Sequence, residues 1–363
     1  MRKLMPIEHI EDWEQRIARQ DAFWRREIID RPVVIASMGK AQPDPRYPAP
    51  PQKTWATIRG RWFDAEYIAQ SAAAGAMNTE YLGDALPSSW PNLGPEIFSA
   101  FFGAEIEFGD STSWSVPNLK DWTDADKIQL STDNIYWKKL EEITDALLQA
   151  GKGKFYTGMA DWHPGGDALA AFRDPLNLNI DMIEHPDEVK ALLDRITQAY
   201  FEVYDYWHNK LAAAGQATYS WPGIVSSKKW YVPSNDFSCM VSKKMFDDVF
   251  LPGIAEECRF LEASIYHLDG PQALRHLDSL LSIPELNAIQ WVPGVPGATG
   301  VGDWMHIYKK CQAAGKGLQI GFDVDDLEFV MENLRPEGLW IGISGFKDRD
   351  GFNAVLKRIA KWK

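Results

Sequence analysis

The chain has 363 residues, of which 45% are hydrophobic and 25% charged, with a formal net charge of −13 and 16 tryptophans. That length and balance exclude a disordered chain and a small disulfide-stapled scaffold, and they suffice for one barrel-sized domain or two ordinary ones. The acidic balance argues against nucleic acid or an anionic membrane as partner, because either needs clustered Lys and Arg to displace counterions.

Residues 8–30 carry apolar residues at helical spacing (Ile10, Trp13, Ile17, Phe23, Ile28), so residues 1–31 read as an N-terminal helical extension. They are charged throughout and lack the apolar core of a secretory signal. "RPVVIASMG" at 32–39 is a short buried strand, and the Pro-rich "AQPDPRYPAPPQKTW" at 41–55 is a linker or a loop arching over a pocket. "WFDAEYIAQSAAAGAM" is helical, and residues 81–110 mix a Pro/Gly loop with a helix and a strand.

From residue 136 the rhythm becomes regular. Helix 136–150 precedes strand 154–161; helices 167–173 and 187–213 precede strand 217–221; helix 242–262 precedes strand 264–269. Helix 271–281 leads to strand 288–294, helix 303–314 to strand 317–323, helix 325–333 to strand 338–344, and helix 350–362 follows. Alternating strands and helices call for a parallel sheet, and near-continuous apolar strands fit a sheet covered on both faces. The leading architecture is therefore an α/β fold, a (β/α)8 TIM-type barrel forming a single domain over 1–363, with a doubly wound open sheet as the alternative. No GxGxxG follows the first strand, which counts against a dinucleotide site. Cys239, Cys258 and Cys311 are widely spaced without a CxxC, and no segment reaches the ~18 uninterrupted apolar residues of a membrane span. The expectation is a cytoplasmic protein with reduced thiols.

In a barrel the reactive groups stand where the strands end. Here the strand ends supply Asp161 and His163, Trp221, His267 and Asp269, Gln290 and Trp291, and Asp323, while the loop "YVPSNDFSCMVS" adds Asn235 and Asp236. Each has a plainer reading: Asp269 and Asp323 as helix caps, His163 as a satisfied loop histidine, and the tryptophans as core. Capping does not explain the surplus of His and Trp as a set. His267 and Asp269, two apart on a strand, point to one side, where they form a partial ligand set for a divalent metal whose third ligand comes from elsewhere. The pair His276 and Asp278 follows in a helix, where a separation of two sends the side chains about 200° apart, so it divides between packing and solvent.

The segments "GMADWHPGGDALAAFRDPLNLNIDMIEHPDEV", "NDFSCMVSKKMFDDVFLPGI" and "SIYHLDGPQALRHLDSLLSIPELNAIQWVPG" resemble the uroporphyrinogen decarboxylase superfamily, in particular its branch of corrinoid-dependent methyltransferases. The resemblance runs continuously over about residues 130–350, loosely before that, and implies a (β/α)8 barrel with its site at the C-terminal strand ends. Two departures matter. Decarboxylases of the family carry an Arg-rich "RQAGRY" motif for the substrate's carboxylates, whereas this chain has only Lys40 and Arg46 in the corresponding stretch. The methyltransferase branch binds Zn2+ through His-x-Cys and a distant Cys; here His267-Leu268-Asp269 and Ser344 stand in the matching places. Both thiolates are missing, so activation of a coenzyme thiol is not expected, and the site binds metal through harder ligands or holds none.

The resemblance thus implies a methyltransferase or demethylase subunit that moves a methyl group from a small methoxylated or methylamine-type donor to a corrinoid (cobalamin-type) cofactor on a separate corrinoid-binding protein. His267, Asp269, His163 and Asp236 are the expected catalytic residues, and His267 and Asp269 the expected metal ligands. Asp161, Trp90, Trp221, Asn235, Gln290, Trp291 and Asp323 are expected around the substrate. The loop "PSSWPNLGP" and the Pro-rich loop are candidate rims for the partner, and the superfamily implies a homodimer. Two alternatives stay open: a cofactor-free decarboxylase or lyase of a small carboxylate, and a non-catalytic binding paralogue.

Overall fold

The computed structural model describes residues 3–294 and 300–362; the first two residues of the expected extension lie outside them. The helix expected over 8–30 is α1 (Trp13–Phe23). It stops because Arg26 turns into the left-handed region (φ 55°), and Glu27 N–H closes back onto the Ala22 carbonyl at 3.0 Å. β1 (Val33–Gly39) and β2 (Thr79–Gly83) then pair antiparallel. β3 (Ser88–Ser89) pairs in parallel with β6 (Tyr156–Thr157), and β4 (Glu105–Phe108) with β5 (Ser113–Val116) forms a separate hairpin. β7 (Thr218–Tyr219) and β8 (Val225–Ser226) form another. β9 (Trp230–Tyr231), β10 (Ala263–Asp269), β11 (Ala288–Val292), β12 (Gly317–Asp323) and β13 (Leu339–Ser344) complete a seven-stranded sheet in the order β2-β1-β13-β12-β11-β10-β9, parallel except at β1–β2. The molecule is thus a mixed α/β fold around a mostly parallel sheet; the ladder among the described residues is open at β2 and β9. No helix of the described residues is long and apolar enough to cross a membrane.

The strands expected at 154–161 and 217–221 shrink to two residues each. The helix expected over 242–262 is broken into a short turn, a π-helical turn at Phe246–Phe250, and Leu251–Phe260. Pro252, which has no N–H to donate, enters the last of these in its first turn, where the ladder must reset.

The register of the sheet decides where its chemistry can sit. His267, Gln290, Gln319, Trp340 and Val33 are successive partners across five strands, so they share one row and one face. Below that row the face is packed by Trp230, Ala263, Ile265 and Ala288, with Phe23 and Trp24 from the end of α1 seated among them. Above it the partners become Asp269 and Val292, then Gly321 and Gly342. A Cβ on either glycine would meet only backbone at 3.8 Å or beyond, so this level is open. The opposite face (Tyr266, Leu268, Ile289, Trp291, Ile320, Ile341) packs into the large core against the helices.

Candidate active site at the strand ends

β10 places His267 and Asp269 on the open face, with Leu268 between them in the core. His267 Nδ1 lies 2.7 Å from Gln290 Oε1, its register partner. Because that oxygen only accepts, Nδ1 carries the proton and Nε2 is left with a free lone pair. Burial lowers the pKa of His267, which keeps the ring neutral. The edge of Trp221 stands perpendicular to it, centroid to centroid 4.9 Å.

A second strand end supplies the partner groups. Asp161 and His163 follow β6, and His163 is clasped on both nitrogens: Nε2 lies 3.1 Å from Asp161, and Nδ1 lies 3.2 Å from Asp167 and 3.1 Å from Ser234 Oγ. Burial disfavours the charged ring, but Asp161 and Asp167 outweigh it and hold the imidazole well above its ordinary value. Asp167 also fixes the loop after β9, accepting from the backbone N–H of Asp236 (3.0 Å) and Phe237 (2.8 Å). Ser234 bridges to His267, whose N–H donates to the Pro233 carbonyl at 3.0 Å, so the loop is tied to β10 as well. The Asp236 carboxyl is thereby held between the two histidines; burial, with Asp167 beside it, pushes it up to about 7. Its Oδ1 is shielded from solvent and has no protein partner.

Two ligand sets result. His163, Asp167 and Asp236 each offer an atom within 4.8 Å of the others, and so do Asp236, His267 and Asp269. The chemistry of the second set fits a divalent cation: a neutral imidazole with a free nitrogen, two carboxylates, and an orienting hydrogen bond behind the histidine. A cleft of about 270 Å³ opens beside the group and is lined by His163, Asp167 and Asp236 with Phe237 and Met240.

The structure therefore brings together His267, Asp269, Asp236, His163, Asp161, Gln290 and Trp221. It separates three others. Trp291, one residue past Gln290, falls on the opposite face and packs on Trp304 at 5.1 Å, so it cannot wall the open side. Trp90 packs on a different cluster around Ile7, Tyr156 and Tyr219. Asn235 is buried toward Gly166 and Glu257, around a void of about 10 Å³. Asp323, by contrast, keeps the face of Gln319 and Gly321 at the end of β12, where it is exposed and also caps the next turn through Asp325 N–H (3.1 Å). Of the second His/Asp pair, His276 is fully buried, stacks on Phe246 and donates to the Ser238 carbonyl at 2.9 Å, while Asp278 pairs with Lys310 at the surface. Asp167 was not anticipated; its one signal is the four-residue spacing from His163 at the start of a helix.

No protein-family model matches the sequence, and no curated protein does. In fold the chain is similar to a methyltransferase from Methanosarcina mazei, with a TM-score of 0.56 at 14% identity over 95% of this chain and 98% of that one. At that identity the likeness speaks to architecture.

Proposed function

We propose that this chain is a methyltransferase or demethylase subunit of the uroporphyrinogen decarboxylase superfamily, built on a (β/α)8 barrel. A cytoplasmic protein in this reading, it takes a methyl group from a small methoxylated or methylamine-type compound and passes it to a corrinoid on a separate protein. The observation that carries the reading is the convergence of His267, Asp269 and Asp236 at the C-terminal end of a parallel sheet. Similarity in fold to a protein described as a methyltransferase supports it. Two contacts among the short strands support the barrel reading: β3 pairs in parallel with β6, and Met159 N–H, just after β6, donates to the Tyr219 carbonyl of β7 at 2.9 Å.

A methyl group on oxygen or nitrogen leaves only when the heteroatom is made electron-poor by a proton or a Lewis acid, and when the carbon is aligned with its acceptor. His267, Asp269 and Asp236 would hold a divalent cation, which supplies that Lewis acidity when bound. Gln290 keeps the His267 nitrogen aimed, and Trp221 braces the ring from the side. The open level at Gly321 and Gly342 leaves room for substrate and for the approach of a corrinoid from above.

The test is methylation of a Co(I) corrinoid protein, followed spectroscopically across a panel of methoxylated and methylated-amine compounds. His267→Ala and Asp269→Ala are each expected to reduce the rate by at least ~100-fold. Unchanged transfer in either variant sinks the assignment. One observation favours the second reading, a cofactor-free decarboxylase or lyase: Asp236 near neutrality beside a charged His163 is a proton-transfer pair. That reading requires turnover of a small carboxylate by the isolated protein.

A further inference from the structure

We propose that the site is built for two divalent cations, with Asp236 as the shared carboxylate and His163 and Asp167 completing the second position. The proposal rests on the reading of His267, Asp269 and Asp236 as a cation site and adds a neighbour to it.

Each half sets a hydrogen-bond acceptor behind its histidine. On one side, Gln290 accepts from His267 Nδ1–H, and the ring shares a ligand set with Asp236 and Asp269, its atoms within 4.8 Å of theirs. On the other, Asp161 accepts from His163 Nε2–H, and Nδ1, hydrogen-bonded to Asp167, would give up its proton to bind a cation. An acceptor behind each histidine is the arrangement that fixes the tautomer and ring plane of a metal-bound imidazole. His163 Nδ1 and Asp167 Oδ2 stand 3.2 Å apart, inside the span of about 2.9–3.5 Å between two ligands of one ion with bonds near 2.0–2.2 Å. Ser234 Oγ, 3.1 Å from the same nitrogen, would turn away as a cation entered.

Charge points the same way. Asp161, Asp167, Asp236 and Asp269 meet here, and among the described residues the ion pairs that reach them come from His163 alone, with no Lys or Arg. Four carboxylates around a single imidazole leave a surplus of negative charge that divalent cations would offset. Asp236 is placed to serve both: it belongs to each ligand set, and its Oδ1 is shielded and has no protein partner. The cleft lined by His163, Asp167 and Asp236 gives the second position its own entrance. A ligand set of imidazole and carboxylate, without thiolate, favours Zn2+, Mn2+, Fe2+ or Co2+.

The experiment uses the full chain, stripped with chelator and titrated with Zn2+ and with Mn2+ by calorimetry, with bound metal counted by elemental analysis. Two equivalents are expected for the unmodified chain and one in each of His163→Gln and His267→Gln. In the chain loaded with Co2+, paramagnetic resonance is expected to show coupled ions, and an isolated ion in His163→Gln. The coupling and the unmodified stoichiometry do not depend on how well a variant folds. A single equivalent that survives His163→Gln and is lost in His267→Gln overturns the second position and leaves the proposed function standing. A single equivalent with the opposite pattern overturns both, as does no binding at all. Two uncoupled equivalents that survive His163→Gln place the second ion elsewhere and also overturn the proposal.

Discussion

At the scale of single residues, the orientation of His267 is the quantity most open to test. Gln290 holds its tautomer through one 2.7 Å hydrogen bond, and replacing such a partner behind a metal-bound histidine typically costs 10–100-fold in affinity. Gln290→Leu is therefore expected to weaken the first Zn2+ by about that factor while leaving the thermal midpoint nearly in place; an unchanged Zn2+ isotherm would refute the role. Glu257 makes a second case. It is fully buried, and burial, reinforced by Asp167 and opposed by His163, pushes its carboxyl from 4.5 up to about 8. Below pH 4.5 both folded and unfolded chains keep the proton, so there is no penalty. Between 4.5 and 8 only the unfolded chain releases it, and stability falls by about 1.4 kcal/mol per pH unit, about 5 kcal/mol at most, with nothing further lost above 8. Glu257→Gln is expected to melt with the unmodified chain near pH 4.5 and clearly above it at pH 8; parallel melting curves at both pH values would contradict this. His267 and Asp269 were legible because strand alternation is local. Trp291 fails by the same rule, since Gln290 and Trp291 cannot both face the site. Asp167 was not legible: its role depends on the loop at 234–236 folding against it across about seventy residues.

At the scale of elements, the strand–helix alternation after residue 136 was readable because buried parallel strands are apolar on both faces, and β10 to β13 match their expected spans within a few residues. The short strands were less so. In β6 and β7 only two residues take ladder geometry, and their neighbours turn toward the site. Register, which no single strand reveals, creates the open level at Gly321 and Gly342. There a small side chain is expected to fit, because nothing but backbone approaches: Gly321→Ala should shift stability by no more than ~1 kcal/mol, while reducing the freedom of the unfolded chain. Under the proposed function, Gly321→Leu should also fold and bind Zn2+ normally, yet raise the KM for the proposed methyl donor at least ~10-fold by filling the open level above Gln319. An unaltered KM in a folded Gly321→Leu protein would show that substrate does not use that level.

At the scale of the whole molecule, the N-terminal segment reads in sequence as an extension, but its contacts make it the floor of the sheet. Phe23 and Trp24 fill the interior under the row that carries His267, and Trp24 Nε1 donates to Ser226 Oγ at 3.1 Å. Met5 and Glu8 donate backbone hydrogen bonds to Gly215 (2.7 Å) and Gly153 (2.9 Å), tying the segment to two later loops. Electrostatics fastens it further. Asp84 is fully buried; it accepts from Val34 N–H at 2.9 Å and is paired with Arg19 and Arg31, both from the first 31 residues. Removing that segment leaves a carboxylate buried without its cations, a loss of about 3–5 kcal/mol, and opens the cavity that Trp24 fills, worth a similar ~3–5 kcal/mol. Since domains are stable by about 5–15 kcal/mol in total, the sum takes most or all of the margin. A chain lacking residues 1–31 is expected to show no cooperative thermal transition, and Trp24→Ala to lower the urea midpoint sharply with its slope unchanged. A truncated chain that melts cooperatively at the parental temperature would show that the segment is an appendage after all.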